Sequence, residues 1–295
     1  MNITIVIPNF NGKELLSKNL PFVLDAKNNK KNNIKEIIIS DDASTDDSIE
    51  FLEKNYEKKV RIISHEKNGG FAANVNDAVT KAKRELVCLL NSDVVVGKNF
   101  LETIQKDFED NQVFAVSLHE KGFGYAKGIF KDGFIIHEGQ SERNGVFESF
   151  WASGGSAVFR KDVWDELNGF DSELFPFYFE DLDLSYRAQK RGYKILWDSK
   201  TNVIHKHEST YKLLDQNYVK RMRERNYLLF NWKNITSNNL SRKHFTALVK
   251  KIFMHPGYLR IVFMAMAKRK ELHKSRSIEL KNSKVSDEAI FAKWN

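Results

Sequence analysis

The residues best suited to chemistry are Asn91, Ser92 and Asp93, which directly follow an apolar run over residues 86–90. Such a run predicts a buried strand, so its polar end falls at the edge of a sheet. In open α/β sheets this edge, at the carboxyl ends of the strands, is where ligands bind. Asp93 can ligate a hard divalent cation, and a cation there could clamp the oxygens of a diphosphate. Taken alone, the tripeptide is more often an ordinary polar turn, and the rest of the chain decides between these interpretations.

The first half of the chain alternates strand and helix patterns. Because the predicted strands are continuously apolar, helices should cover both faces of the sheet. This predicts an α/β fold with a mostly parallel sheet and right-handed crossovers. The predicted strands cover residues 3–7, 34–39, 60–63 and 86–90. Their polar ends should meet along one rim, and comprise Asn9 and Asn11, Asp41 and Asp42, Asn68 and Gly69, and Asn91 and Asp93.

A rim of this kind suits a nucleotide. Carboxylate and amide oxygens can accept hydrogen bonds from a base, and glycine lets the backbone approach a phosphate. The chain has no G-x-G-x-x-G after its first strand and no G-x-x-x-x-G-K-[ST] sequence. A dinucleotide-binding fold and a P-loop are therefore disfavoured.

The second half carries a carboxylate pair, Glu180 and Asp181, just after an aromatic run. Helical spacing predicts a helix over residues 182–191 that ends at Gly192, so the pair stands at or before its N-terminus. The carboxylates could cap the helix and offset its dipole, or one could be a base in a partly apolar pocket. Over residues 113–150 the sequence predicts a strand at 113–116, followed by an irregular or hairpin region that shapes one wall of a cleft.

The composition is that of a soluble globular protein of 295 residues, with 41% hydrophobic and 29% charged residues. The single cysteine, Cys88, lies in an apolar run and cannot form an internal disulfide, which favours a core position and a reducing compartment. No secretory signal is visible, and residues 3–7 are too short to cross a bilayer. We therefore expect a cytoplasmic protein.

The positive charge is concentrated near the C-terminus. Residues 241–281 contain eleven Lys/Arg and two Asp/Glu, whereas residues 1–240 contain 34 basic and 35 acidic side chains. From about residue 208 the pattern is helical. Three roles for residues 241–281 remain open: a helix that packs on the main domain, peripheral binding to an anionic membrane on its inner face, and homo-oligomer contacts. No nucleic-acid motif accompanies the charge, so a nucleic-acid partner is not expected.

Taken together, the motifs resemble a family 2 glycosyltransferase of the GT-A fold. Any one of them is weak, but their order over residues 3–207 is specific. The resemblance implies a GT-A catalytic domain over 1–207, with a nucleotide half at 1–110 and an acceptor half at 111–207, and a helical basic appendage at 208–295. The motifs are Ile5-Val6-Ile7-Pro8-Asn9-Phe10-Asn11, Ser40-Asp41-Asp42-Ala43-Ser44-Thr45-Asp46, Asn68-Gly69-Gly70-Phe71-Ala72, Leu90-Asn91-Ser92-Asp93, Ser153-Gly154-Gly155, Gly169-Phe170-Asp171 and Glu180-Asp181-Leu182-Asp183-Leu184-Ser185-Tyr186-Arg187.

The resemblance also implies roles for individual residues. Asp181 would be the general base, with Glu180 as its alternative. Asp93 would ligate Mn²⁺ or Mg²⁺, and His205, favoured over His207, would close the metal or diphosphate site. Asn91 stands where many members have Asp, so the metal would be held by one fewer negative charge. The nucleotide sugar would contact Pro8, Asn9, Asn11, Asp41, Asn68, Gly69, Asn91 and Ser92, and the donor sugar or acceptor would contact Trp151, Ser153, Gly154 and Gly155.

The implied reaction is a direct displacement that inverts the anomeric centre. A hydroxyl of a glycan or lipid-linked acceptor would attack a sugar activated by UDP, dTDP or GDP, in cell-surface polysaccharide or lipid-linked glycan assembly. Two other functions remain open. One is a non-catalytic module that binds sugar nucleotides or glycans, and the other is a nucleotidyltransferase on a similar sheet.

Overall fold

The computed structural model describes residues 1–206 and 215–294. Eleven strands occur in these residues, nine of them in one central sheet and two in a separate hairpin. In chain order they are β1 (Ile3–Asn9), β2 (Ile34–Asp41), β3 (Arg61–Ser64), β4 (Leu86–Leu90), β5 (Val94–Val96), β6 (Val113–Glu120), β7 (Ala126–Lys131), β8 (Phe134–Gly139), β9 (Val146–Glu148), β10 (Ser156–Arg160) and β11 (Lys194–His205).

The central sheet has a parallel half and a mixed half. β3, β2, β1 and β4 lie side by side and run parallel, as the apolar runs predict. β10 runs antiparallel between β4 and β6, and β11 pairs parallel with β6 and antiparallel with β5 and β9. Ser156, the first residue of β10, pairs with Leu90, the last of β4. The turn that precedes β10 therefore lies at the rim where the parallel strands end.

Eleven α-helices surround the sheet in the described parts of the chain. α6 includes Glu180 and Asp181 in its first turn, two residues earlier than predicted. The sequence around Ser44 predicts an N-cap for a helix over roughly 45–56, but α2 begins later, at Ser48, and the Ser44 side chain bonds to Asp41 instead of capping a helix. The helices are α1 (Lys13–Asn28), α2 (Ser48–Tyr56), α3 (Phe71–Lys81), α4 (Ile104–Asp107), α5 (Lys161–Glu166), α6 (Glu180–Lys190), α7 (Gln216–Asn234), α8 (Asn238–Met254), α9 (Leu259–Met266), α10 (Arg269–Asn282) and α11 (Asp287–Ala292).

Both faces of the sheet are covered, which explains the continuously apolar strands. Alternate residues of a strand point to opposite faces. Thus Cys88 belongs to the core on the α1 side, whereas Val87 and Leu89 belong to the core on the α3 side. These two cores fix the strands whose ends form the rim.

A third apolar core joins the β7–β8 hairpin, α6 and the C-terminal helices. It contains Tyr186 of α6, Phe230 of α7 and Phe291 of α11. Side chains from before and after the predicted boundary at residues 207 and 208 thus share one core. The boundary itself and residues 208–214 of the predicted helical pattern lie outside the described residues, and the domain division stays a prediction.

Buried polar contacts hold α6 against the C-terminal helices. Asp287 of α11, which is fully buried, accepts hydrogen bonds from Lys190 Nζ at 2.8 Å and from Tyr186 Oη at 2.8 Å. Its other oxygen accepts from the backbone N–H groups of Thr236 and Ser237, at 2.7 Å each. A buried carboxylate is tolerated only when its partners satisfy it in this way.

Replacing Asp287 by Asn should lower the free energy of unfolding by about 3–5 kcal/mol, because the Lys190 ammonium group would stay buried without its counter-charge. Urea unfolding of the two proteins measures the difference. Asp165→Asn is the matched control: Asp165 is an exposed partner of Lys161, and its loss should change stability by only about 0.5 kcal/mol or less. Equal losses in the two variants would contradict the structural role of Asp287.

Candidate active site

A cleft of about 680 Å³ opens at the rim predicted from the sequence. The ends of β1, β2 and β4 and the start of α3 form its walls, and Phe177 and Tyr218 come from later in the chain. The structure brings together these predicted residues in its lining: Pro8, Asn9, Asn11, Asn68, Gly69, Asn91, Ser92 and Asp93.

Asp41 and Asp42 occupy different positions at the end of β2. Asp41 is fully buried behind the cleft, where its Oδ2 accepts from Asn9 Nδ2 at 2.7 Å and from Ser44 Oγ at 2.6 Å. Asp42 lines the cleft and accepts from the backbone N–H groups of Gly69 and Gly70, at 2.8 and 2.9 Å. Asp41 therefore shapes the rim, and of these two aspartates Asp42 is the one that lines the cleft.

His205 links Asp93 to a residue that the sequence did not identify, Glu120. The pairing of β5 with β11 places His205 beside Val94. The Nε2 atom of His205 lies 3.1 Å from Asp93 Oδ1, and its Nδ1 atom lies 3.0 Å from Glu120 Oε1. Burial lowers the pKa of His205, but hydrogen bonds to Asp93 and Glu120 and their negative charges outweigh it and raise the pKa to about 9. His205 is thus an imidazolium at neutral pH and donates to both carboxylates.

The pair Asp93 and His205 fits a divalent cation. Neighbouring donors around an octahedral cation with bonds of about 2.1 Å lie roughly 3 Å apart, and the two atoms here are 3.1 Å apart. A cation would take the place of the Nε2 proton, while Glu120 would orient the ring from the other side. Among residues 1–206 and 215–294, no three His, Cys, Asp or Glu side chains converge on one point. The predicted alternative, His207, falls outside these residues.

Two glycines, Gly154 and Gly155, lie between Asp181 and the part of the site that contains Asn91 and His205. A Cβ atom on Gly155 would lie 2.5 Å from Asn91 Nδ2 and 3.3 Å from His205 Cε1. A Cβ atom on Gly154 would lie 3.2 Å from the Cβ atom of Asp181. Both glycines also make backbone bonds, since Gly155 O accepts from Asn91 N and Gly154 N donates to Asp181 Oδ2 at 3.0 Å. The Gly154–Gly155 turn therefore brings Asp181 close to the Asp93 side of the rim.

Glu180 and Asp181 differ in their surroundings. Asp181 is partly exposed, and its two oxygens accept from the N–H groups of Gly154 and Leu182. Burial raises the pKa of Asp181, and these two donors oppose the rise. Glu180 is buried, and its Oε2 has no hydrogen-bond partner within residues 1–206 and 215–294. Burial and then the charge of Asp181 raise the pKa of Glu180 well above its usual range. Glu180 therefore keeps a proton more readily than Asp181 does.

The backbone just before α6 is held in an uncommon conformation. Tyr178 and Phe179 have φ values of 60° and 74°, in the left-handed region that bulky residues rarely adopt. Asn226 of α7 donates from Nδ2 to the carbonyl oxygens of Phe177 and Tyr178, at 2.8 and 3.0 Å. A helix of the predicted appendage thus fixes the turn that leads to Asp181.

The remaining predicted residues lie beside the cleft and not in its lining. Ser153 Oγ accepts from the backbone N–H of Gly155 at 3.3 Å and so supports the glycine turn. The Trp151 ring is partly buried and packs edge-on against His137, with the ring centres 5.5 Å apart. Contacts of these two residues with a sugar or an acceptor stay a prediction.

Comparison with solved structures identifies the fold class as GT-A, as predicted. The mannosyltransferase PcManGT from Pyrobaculum calidifontis, solved in complex with GDP-Man and Mn²⁺, matches with a TM-score of 0.57 and 14% sequence identity. The match covers 94% of this chain and 84% of that one. At this identity the similarity concerns the fold alone.

The family model described as glycosyl transferase family 2 matches residues 4–167, and the chain belongs to this family. It is 33% identical over 142 residues to the poly(ribitol-phosphate) beta-glucosyltransferase of Bacillus spizizenii, across 45% of this chain and only 22% of that protein. It is 25% identical over 231 residues to the O-antigen chain rhamnosyltransferase WbaN of Salmonella anatum, across 74% of this chain and 70% of that protein. The predicted family and the enzyme class are confirmed.

Replacing Glu120 by Gln should lower the pKa of His205 below about 9, because a negatively charged hydrogen-bond partner is lost. In the wild type this pKa lies above the unfolded value of about 6.5, so His205 stabilises the fold fully below pH 6.5 and loses this effect as pH rises through 9. Histidine NMR titration in the presence of a chelator measures both pKa values. Glu142→Gln is the control, since Glu142 contacts His119 and not His205. An unchanged pKa in Glu120→Gln would contradict the linkage.

Proposed function

We propose that the protein transfers a sugar from a nucleotide-sugar donor to a hydroxyl group of a glycan or lipid-linked acceptor, with inversion and with Asp181 as the base. One observation carries this proposal: the Gly154–Gly155 turn sets a partly exposed carboxylate with a raised pKa beside the Asp93 side of the cleft. Named relatives that act on O-antigen and on poly(ribitol-phosphate) support an acceptor in the cell envelope.

The nucleotide of the donor would occupy the cleft between the ends of β1 and β4. Pro8, Asn9 and Asn11 line one side of this space, and Asn68 and Gly69 line another. Asp42 lines the cleft where β2 ends. We assign recognition of the nucleotide base to this end of the cleft. Asp41 would act there through Asn9, which it holds by a hydrogen bond.

Asp93 and His205 would hold Mn²⁺ or Mg²⁺, with the remaining coordination from the donor diphosphate and water. When bound, the cation would neutralise charge on the departing diphosphate. The Mn²⁺ in the Pyrobaculum mannosyltransferase complex supports this assignment for a similar fold. Asn91, also in the cleft lining, is neutral, so Asp93 supplies the carboxylate at this end of β4.

Asp181 would take the proton of the acceptor hydroxyl group as its oxygen attacks the anomeric carbon. The bond from this carbon to the diphosphate oxygen breaks, and the electron pair leaves with the nucleoside diphosphate. A single displacement of this kind inverts the anomeric centre. The N–H groups of Gly154 and Leu182 keep the Asp181 carboxylate oriented, and Glu180 beside it keeps a proton more readily.

A panel of UDP-, dTDP- and GDP-sugars, assayed by release of nucleoside diphosphate with a glycan or lipid-linked acceptor, tests this function. Asp181→Asn should lower turnover by roughly two to four orders of magnitude and leave donor affinity nearly unchanged. Burial raises the pKa of Asp181. As the pH is lowered, wild-type turnover should therefore be lost at a pH above about 3.9, the usual pKa of Asp, because the base becomes protonated there.

Glu180→Gln is the matched control for Asp181→Asn. It replaces a buried carboxyl group with a raised pKa by a neutral amide of the same shape, so turnover should stay close to that of the wild type. If Glu180→Gln loses turnover while Asp181→Asn keeps it, Glu180 is the base. Failure of every donor to react would contradict the enzymatic proposal and favour a binding module.

Asp93→Ala should abolish the metal-stimulated part of donor binding, because it removes the carboxylate that follows β4 in the cleft lining. Asn91→Asp should strengthen that part, since it adds a negative charge next to the same site. Calorimetry with the preferred donor, with Mn²⁺ or with a chelator, measures both effects. If donor binding by the wild type is the same with Mn²⁺ and with chelator, Asp93 has no role in metal binding.

A further inference from the structure

Helix α9 is apolar on two opposite faces. Successive helical residues are about 100° apart, so Leu259, Phe263 and Met266 share one face and Ile261 and Ala265 lie roughly opposite. Ile261 and Ala265 are buried, and α9 packs against α7. Leu259, Phe263 and Met266 are exposed, Phe263 by 65%. A helix with apolar residues on all sides is normally covered on all sides.

Two more exposed apolar side chains lie at the C-terminal end of the preceding helix, α8. Phe253 and Met254 are 81% and 61% exposed, and a short turn at Pro256–Tyr258 connects them to α9. We call Phe253, Met254, Leu259, Phe263 and Met266 the apolar corner. Soluble proteins seldom expose several large apolar residues together unless they form a binding surface.

Exposed cations lie on the same helices as the apolar corner and on the next one. Lys250 is in α8, Arg260 in α9 and Lys270 in α10, and all three are exposed. The two acidic residues of segment 241–281 do not offset this charge, since Glu279 is buried in an ion pair with Arg191, and Glu271 pairs with Lys268. The segment therefore exposes both apolar side chains and cations.

We propose that the apolar corner docks on an anionic lipid surface. Phe253 and Phe263 would enter the boundary between headgroups and acyl chains, while Arg260 and neighbouring cations would contact lipid phosphates. A second copy of the chain fits less well, because a symmetric contact would bring the same cations together. α9 is only about 12 Å long, and no helix in residues 1–206 and 215–294 is long and apolar enough to cross a membrane. The corner therefore lies on the membrane surface.

This docking goes beyond the proposed reaction and does not depend on it. α7, on which α9 packs, also contributes Tyr218 to the lining of the cleft. If the reaction is as proposed, docking would place the cleft near lipid-linked acceptors and raise their local concentration.

The test is co-sedimentation of the full chain with vesicles of phosphatidylcholine, with and without 30% phosphatidylglycerol. The wild type should bind the anionic vesicles at 0.1 M salt and bind more weakly at 1 M, where the Debye length falls from about 10 to about 3 Å. The double variant Phe253→Ser/Phe263→Ser should bind the anionic vesicles at least about tenfold more weakly than the wild type. Circular dichroism verifies that it is folded.

Ile278→Ser/Leu280→Ser is the matched control, because it removes two exposed apolar side chains of the same basic segment from α10. It should bind as the wild type does. The proposal is overturned if the wild type stays in the supernatant with anionic vesicles at 0.1 M salt, or if the two double variants lose binding equally. It is also overturned if sedimentation velocity shows that the Phe variant loses self-association while vesicle binding is unchanged. Nucleoside diphosphate release without vesicles should be equal in all variants, which separates a failure of docking from a failure of the proposed reaction.

Discussion

Gly155 lies too close to Asn91 to carry a side chain, and the rest of the site depends on this restriction: a Cβ atom there would lie 2.5 Å from Asn91 Nδ2. Gly154, the other residue of the turn, is also tight, because its Cβ atom would lie 3.2 Å from that of Asp181. The same turn donates a hydrogen bond to Asp181 and accepts one from Asn91. Because β10 begins immediately after it and pairs with β4, the turn is anchored to the strand that delivers Asp93. Two chemically different ends of the site are thus built on one short stretch of backbone.

The second requirement is a rigid structural support for Asp181, which α6 provides. α6 is buried along most of its length, and its charged residues are matched by partners from the C-terminal helices. Asp183 accepts from Arg187 and Lys233, and Asp287 accepts from Lys190. Asn226 holds the left-handed turn before the helix. The end of α6 that carries Asp181 is therefore positioned by residues far along the chain, and residues 216–294 contribute to the candidate site although most of them never reach the cleft.

Local patterns predicted the parts of the fold that depend on local physics. Continuous apolar runs located β1, β2 and β4, and the abrupt change to polar residues located Asp93 at the rim. The role of Ser44 was predicted less well, because a helix cap and a side-chain bond to Asp41 look alike in sequence. Glu120 and Asn226 gave no signal, since their roles arise only when β6 lies beside β11 and α7 packs on the aromatic turn. The contact of Glu120 with His205 joins residues 85 positions apart, and that of Asn226 with Tyr178 joins residues 48 positions apart. Asp42 was visible in the motif, but only the turn geometry shows that it, and not Asp41, faces the cleft.

A crystal structure with Mn²⁺ and the preferred nucleotide sugar, with an anomalous difference map for the metal, tests the central claim most directly. We expect an anomalous peak within coordinating distance of Asp93 and His205, the diphosphate against that peak, and the anomeric carbon on the side that faces Asp181. A diphosphate bound away from Asp93, or a sugar whose anomeric carbon faces away from Asp181, would contradict the claim that the glycine turn unites the two ends of one catalytic site.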